Sequence, residues 1–460
     1  MTITGRLCEK IVATTADTMG ETAIAKARQL VLDGVAVAVA GARIEEAPKI
    51  LAHYLRGQGS KPECSALGFG FRLAPVPAAL LNATSMHVLD FEPMWTPATH
   101  ALSPALAPAL ALAESIGADG RDVLAAVIKG VEIQGWIRRA SGHMESRDFK
   151  FHPPGMVGPI GAAVAASHLL KLDAAALANA IGIATSRCGS LTSNTGTMTK
   201  STHCGYAASL GLESALLAAL GFTGDDKAFD SAAGYAAIFL PPDFDGEMLM
   251  SFGLPFRLVD PGFTLKIFPC KFTTHYGITA ALAARPRVPS ADAIRAVRML
   301  APVVPTGDRP HPKTGLEGKF SMQFTLAAAL LDGAVTLSSF ADERLHGSDM
   351  QTLLSKIAVT MSTDITTEYN AGRYVDLEIE LADGTIVRER CERPRGSWGA
   401  APFSEAEHIV KVRDCLAGSL APSAIDECLE LGSRFEQLDG NGVRRMLALA
   451  CGRAARDGVD

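Results

Sequence analysis

The chain of 460 residues carries 43 basic and 49 acidic side chains, a formal charge of −6, and is 48% hydrophobic and 20% charged. With no basic excess to neutralise a phosphate backbone, nucleic acid is not expected as a partner, and a chain of this length points to two or three domains. Arg6, Glu9 and Lys10 interrupt the first ten residues, so no secretory signal is read there and a cytoplasmic location is expected.

In chain order, residues 1–260 are dominated by Ala-, Leu- and Gly-rich runs long enough for helices, predicted over 21–42, 76–90, 103–117 and 120–140. Small side chains on several faces of these runs let helices approach closely on more than one side. The uncharged run Pro153–Leu170 nears the length of a membrane span, but it is rich in Gly and Ala and carries His168. A buried core helix is predicted and no membrane association is expected. After Phe252 Pro and Val become frequent, and 285–304 reads as a helix followed by a strand. Residues 373–381 and 385–391 alternate apolar and polar on either side of Ala382-Asp383-Gly384, which predicts a β-hairpin. Ser404 and Glu407 form a capping-box signature opening a helix through residue 418, and a last helix is predicted over 442–457.

The expected fold class is mainly α with a smaller α+β domain. A large all-helical domain spans 1–260, an α+β lid domain is inserted at 261–400, and C-terminal helices over 401–460 return to the helical domain. The nine cysteines are scattered and never spaced C-x-x-C, so they suit neither a disulfide framework nor a zinc site and read as small buried hydrophobes.

Phosphate-loop, zinc-hydrolase and serine-hydrolase motifs are absent, and Gly68-Phe69-Gly70 lacks the third glycine of a dinucleotide fingerprint. Four polar segments stand out instead. The first, 90–104, presents Asp90, Glu92, Thr96, Thr99 and His100 between two helices, where turn and capping chemistry is the bland alternative. The second places His152 ahead of Pro153 and Pro154, with Lys150 two residues earlier; two prolines hold the backbone extended and the ring in place. In the third, Lys200 and His203 fall at i and i+3 after a run of Ser, Thr, Asn and Gly. The fourth, 263–277, carries Lys266, Lys271, His275 and Tyr276. Several Lys and His with few carboxylates beside them is the composition of an anion pocket, in which substrate carboxylates need cations to offset their desolvation. Histidines titrating near neutral pH can then move a proton at carbon next to a carboxylate.

Taken together, LVLDGVAVAVAGA (30–42), TPATH (96–100), GVEIQG (130–135), KFHPPGMVG (150–158), TMTKSTHCG (197–205), KIFPCKFTTH (266–275) and PRGS (394–397) resemble the MmgE/PrpD superfamily over nearly the whole chain, in wording nearest its branch that decarboxylates cis-aconitate. The resemblance implies a homodimer of a helical domain plus a smaller lid domain that works on a small polycarboxylate without metal or organic cofactor. It implies proton transfer at a carbon beside carboxylates, coupled to loss of water, loss of CO2 or inversion. Carried over by position, Asp90, His100, His152, Lys200 and Lys266 match pocket residues: His100 and His152 as the proton-transfer pair, Asp90 orienting an imidazole, Lys200 and Lys266 as carboxylate clamps. His275 falls in the same wording, whereas Lys271 stands where the decarboxylating branch has a histidine. The family phrase DFDDT reads DFEPM here, so Glu92 and Pro93 replace an acid pair and Met94 a pocket threonine, while Phe324 stands for a pocket tyrosine.

Three functions follow as expectations: a lyase that decarboxylates a cis-aconitate-like acid or dehydrates a 2-methylcitrate-like one; a dicarboxylate epimerase of the iminodisuccinate type, to which the loss of the DD-T wording lends some weight; and a non-catalytic, anion-binding dimer, which has no need of His100, His152 and Lys200 together.

Overall fold

The computed structural model describes residues 1–95, 99–142, 151–367, 372–400 and 403–452. Thr96 and Lys150 lie outside the described residues. The chain divides into two compact units, residues 1–263 with 404–460, and residues 264–403.

Unit 1 begins with α1 (Ile3–Ala13), α2 (Glu21–Ile44) and α3 (Glu46–Gln58), continues through the short strands β1 (Cys64–Ala66) and β2 (Phe71–Leu73), then α4 (Pro75–Val88), α5 (Leu102–Ile116), α6 (Gly120–Ala140), α7 (Pro153–Leu169), α8 (Ala174–Thr185), α9 (Thr199–Ala219) and α10 (Tyr235–Phe239). The four helices predicted between 21 and 140 are all present, each within about two residues of the expected bounds. α7 is apolar on every side and lies against α5, α6, α8 and α9, which is why its 153–170 run could be so hydrophobic without spanning a bilayer. No helix among the described residues is long and apolar enough to cross a membrane. Ile133, Trp136 and Ile137 of α6 join Leu7 and Ile11 of α1, Ile160 and Val164 of α7, and Phe229 and Phe252 in one apolar core.

Unit 1 is not wholly helical, contrary to expectation. β1 and β2 form an antiparallel ladder, and the turn between them uses Gly68 at φ 80° and Gly70 at φ 72°. The Gly68-Phe69-Gly70 triplet is therefore a hairpin turn, where residues without a Cβ accept positive φ at little cost.

Unit 2 carries α11 (His275–Ala284), β3 (Ile294–Pro302), α12 (Gly315–Gly318), α13 (Met322–Asp332), α14 (Asp342–Leu345), α15 (Ser348–Leu354), β4 (Ile357–Ser362), β5 (Val375–Leu381) and β6 (Ile386–Cys391). The sheet order is β4-β3-β5-β6, with β3 and β4 parallel and the other pairs antiparallel. The helices between β3 and β4 provide the crossover that a parallel pair requires. β5 and β6 are the predicted hairpin, paired from Val375↔Cys391 to Glu380↔Ile386, and the Asp383 carboxylate accepts from the Thr385 N–H at 2.8 Å in its turn. The helix expected at the start of 285–304 is absent. Pro286 and Pro289 restrict it to 3₁₀ turns at Arg285–Arg287 and Ala291–Ala293 before β3 begins.

The chain returns to unit 1 as α16 (Glu405–Leu416), α17 (Pro422–Ser433) and α18 (Gly440–Cys451), and the Ser404/Glu407 capping box is formed. α16 is tied to α2 through a buried carboxylate: Asp33 lies 3.1 Å from His408 Nε2 and 2.9 Å from Lys411 Nζ. Burial pushes the Asp33 carboxyl up, but Lys411 and His408 more than offset it and hold it below its ordinary range. Lys411 also donates to the Phe91 carbonyl at 3.0 Å, so this cluster fixes the segment that follows α4.

The far side of that segment rests on α6. A Cβ added to Gly135 would sit 2.5 Å from Nε1 of the fully buried Trp95, and Trp95 packs edge-on against Phe263 at 4.2 Å. Gly135→Ala is therefore expected to displace Trp95 and destabilise the protein by about 1–3 kcal/mol, the usual cost of overpacking. Urea unfolding followed by tryptophan fluorescence checks this; an unchanged midpoint and an unchanged native spectrum would contradict it.

Candidate functional site

The site is built on four helix ends of unit 1, those of α4, α5, α7 and α9. α4 stops at Val88, and the chain turns through Asp90, held at a positive φ of 51°, before α5 starts at Leu102. The residue preceding α5, Ala101, has no capping side chain, and that role passes to Glu92, whose carboxylate accepts from the Ser103 N–H at 3.1 Å and the Ser103 hydroxyl at 3.0 Å. An anionic oxygen at a helix start meets otherwise unpaired N–H groups and the positive end of the dipole. Glu92 also accepts from His87 Nδ1 at 2.6 Å and stands 3.2 Å from His100 Nδ1.

Glu92 is fully buried. Burial pushes its carboxyl up, and the contacts from His100 and His87 overcome that and hold it well below the usual carboxylate range. His87 is pushed down to about 3 by burial and by the nearby charges of Lys200 and His100, so its imidazole is neutral at pH 7. A neutral His87 that donates from Nδ1 to Glu92 keeps a lone pair on Nε2, and that atom is buried with no hydrogen-bond partner among the described residues.

His152 occupies the N-cap position of α7, with Pro153 and Pro154 in the first turn as the dipeptide led one to expect, and its N–H donates to the Ser190 carbonyl at 2.7 Å. Lys200 and His203 share one face of the first turn of α9. Lys200 Nζ donates to Asp90 at 2.7 Å, Asp90 stands 3.7 Å from His100 Nε2, and His152 Nδ1 meets His203 Nδ1 at 3.1 Å. The rings of His87 and His100 are 4.4 Å apart, those of His87 and His152 5.8 Å, and those of His100 and His152 6.4 Å. Burial, then Lys200, pushes His152 well below and His203 down to about 4.

Four of the sequence-derived candidates, Asp90, His100, His152 and Lys200, thus converge in unit 1, and Met94 is buried in the same segment. Lys266, Lys271, His275 and Phe324 lie on unit 2. Lys266 is fully buried with Nζ 3.3 Å from the Cys270 carbonyl; Lys271 donates to the Thr306 hydroxyl; His275 lies between the rings of Phe268 and Phe272, each at 5.1 Å; Phe324 is fully buried against Phe340 at 5.8 Å. Sequence reasoning missed His87, which sits in an apolar helical run as a core histidine would, and gave His203 only as a neighbour of Lys200. The signal for His87 was its place one turn before Asp90 and Glu92 at a helix end.

The nearest approach to a metal-binding group among the described residues is His87, Glu92 and His100, whose ligand atoms lie within 4.8 Å of one another. Glu92 already accepts hydrogen bonds from Ser103 and His87, so a cation there would have to displace the His87 proton.

Residues 5–247 match the MmgE/PrpD N-terminal domain and residues 268–434 the MmgE/PrpD C-terminal domain, so the chain belongs to the MmgE/PrpD family. It is 30% identical to a cis-aconitate decarboxylase of Mus musculus over 433 residues, 91% of this chain and 88% of that protein. It is 30% identical to one of Homo sapiens over 383 residues, 81% and 79% of the two chains, and 25% identical to one of Aspergillus terreus over 445 residues, 91% and 90%.

The neutral histidines make stability pH-dependent with a definite sign. Their folded pKa values lie below the ordinary 6.5, so the stability they contribute is present above pH 6.5 and is lost as pH falls toward 4, where the unfolded chain binds protons that the folded one excludes. Each contributes up to about 1.4 kcal/mol per pH unit in that window. Unfolding midpoints in urea should fall steeply between pH 6.5 and pH 4.5, and less steeply in His203→Gln; equal slopes for the two proteins would contradict the assignment of His203.

Proposed function

We propose that the protein is a cofactor-independent lyase acting on a small di- or tricarboxylate, with decarboxylation of a cis-aconitate-like acid as the first candidate. The observation that carries this reading is the convergence of Lys200, Asp90, His100 and His152 at the ends of α4, α5, α7 and α9 in unit 1. The similarity to proteins named cis-aconitate decarboxylase supports the choice of acid.

In this reading His100 and His152 are the proton-transfer pair, Asp90 orients His100, and Lys200 contacts a substrate carboxylate, with Met94 against its apolar part; Lys266, Lys271, His275 and Phe324 are assigned to substrate binding by the family resemblance alone. Loss of CO2 leaves an electron pair that spreads through the adjoining double bond into a carboxylate, and a proton must then be delivered to carbon. Each turnover takes up one proton. His87, His152 and His203 are neutral in the free protein, and the negative charge of a bound polycarboxylate favours their protonated form, so that the proton enters with the substrate. A homodimer in the cytoplasm completes the proposal. An exposed apolar stripe of Tyr206, Leu220 and Phe222 along and beyond α9 supports the dimer, and nine free cysteines suit a reducing compartment.

Epimerisation is the second reading, favoured by Met94 and Phe324 where family members carry hydroxyls that could bind a polar acid. NMR in deuterated buffer, with cis-aconitate, 2-methylcitrate and iminodisuccinate offered separately, distinguishes the two. The expected outcome is a new product from cis-aconitate carrying one deuterium per molecule, abolished in His152→Gln and Lys200→Met variants that retain native circular dichroism. Deuterium exchange or inversion of iminodisuccinate without change of product composition would move the protein to the epimerases, and silence with all three acids would overturn the catalytic reading.

A pH profile tests the proton step separately. If the active free enzyme is the scarce protonated one, log(kcat/KM) should fall with a slope near −1 between pH 6.5 and 8. A flat profile would contradict it.

A further inference from the structure

A second cluster of buried polar groups lies well away from the histidine-rich site. Between the C-terminal end of α1, the N-terminal half of α6 and the C-terminal end of α7 is a cavity of about 440 Å³. His168 faces it near the end of α7, whereas His152 caps the start of that helix; sixteen residues of helical rise separate them by about 24 Å.

The cavity wall holds buried donors beside two carboxylates, Asp17 and Asp122. Lys129 is buried, and its Nζ lies 3.1 Å from His168 Nδ1. Burial, together with Lys129 and Lys171, pushes His168 down to about 4, so the imidazole is neutral; accepting from Lys129 on Nδ1, it carries its hydrogen on Nε2. That Nε2 and the Ser167 hydroxyl are both buried without a hydrogen-bond partner among the described residues. The surrounding charges cancel in pairs, Arg121 with Asp17 at 2.5 Å and Lys171 with Asp122 at 2.7 Å, while His168 Nε2 stays 3.8 Å from Asp122. A buried ammonium whose hydrogen-bond partner is a neutral ring gains from an added anion, because the Asp122 carboxylate of the same wall is already paired with Lys171. Ile11, Val164 and Leu177 supply apolar wall around these donors.

We propose that this cavity is a binding site for a small organic anion, a carboxylate or phosphate monoester, whose charged group takes hydrogen bonds from Lys129, Ser167 and His168 and whose carbon skeleton lies on the apolar wall. The proposal is independent of the reading of the histidine-rich site. Burial pushes Lys129 down to about 8, with Lys171 adding to that effect and Asp122 opposing it. An anion favours the charged form, so affinity should fall as pH rises above about 8.

The test uses the full-length protein, with inorganic phosphate and acetate as probes, titrated by calorimetry at pH 7. Wild type and Lys200→Met should bind at least one of the probes at this site, and Lys129→Met should weaken that binding at least about tenfold, the loss expected for a charge-assisted hydrogen bond. His168→Gln and Ser167→Ala provide a second line of evidence should Lys129→Met fail to fold, and each should weaken binding by a smaller factor. Stronger binding of phosphate than of acetate points to a phosphate monoester, and the reverse to a carboxylate. Unchanged affinity in Lys129→Met and His168→Gln, no binding of either probe to wild type, or loss of all binding in Lys200→Met would overturn the proposal.

Discussion

Glu92 is the constraint around which the rest of the site is arranged. A carboxylate with no exposure to water persists as an anion only if the protein replaces its hydration, and here the Ser103 N–H and hydroxyl and His87 Nδ1 do so. Each of these partners belongs to a different structural task. Ser103 is in the first turn of α5, so Glu92 caps a helix; His87 is in the last turn of α4, so Glu92 sets its tautomer; His100 lies within 3.2 Å, so Glu92 also holds the end of the connecting segment. One buried charge therefore fixes two helix ends and the orientation of two imidazoles.

Around that anion the electrostatics separate two kinds of group. The Lys200–Asp90 pair is charged and buried, and its cation helps keep His87, His152 and His203 neutral. Neutral imidazoles cost little to bury, yet each can take up a proton when an anion arrives. The same logic, with a lysine and one histidine in place of the larger set, recurs around Lys129 and His168. In both places a lysine and neutral imidazoles are buried together, Lys200 with the carboxylates of Asp90 and Glu92 close by and Lys129 against the imidazole of His168.

Much of this architecture could be read from local patterns. The lengths of α2, α4, α5 and α6 follow from runs punctuated by Gly, Asp and Pro, the β5–β6 hairpin from strict alternation around Asp383-Gly384, and the start of α16 from Ser404 and Glu407. What local patterns could not supply were partnerships across long stretches of sequence. Asp33 meets His408 and Lys411 more than 370 positions away, and nothing near Asp33 in a run of Val, Leu and Ala announces it. His87 looked like core because it is core, and its chemical character comes from Glu92 folding back five residues. The β1–β2 ladder and the 3₁₀ turns before β3 were missed because short elements punctuated by glycine or proline carry too little periodicity to separate helix from strand. Asp90, His100, His152 and Lys200 were legible as candidates from their unusual company, though their convergence was not.

The central claim is that the free protein holds a set of neutral imidazoles beside a buried ammonium, ready to take a proton when a polycarboxylate binds. ¹⁵N NMR of histidine-labelled protein at pH 7 addresses it directly, with His87→Gln, His152→Gln and His203→Gln used for assignment. The account predicts neutral-ring shifts for all three histidines, with the His87 hydrogen on Nδ1, and the appearance of imidazolium signal when cis-aconitate is added. Imidazolium shifts at His87 or His152 in the free protein, or neutral rings throughout a cis-aconitate titration that reaches saturation, would contradict it.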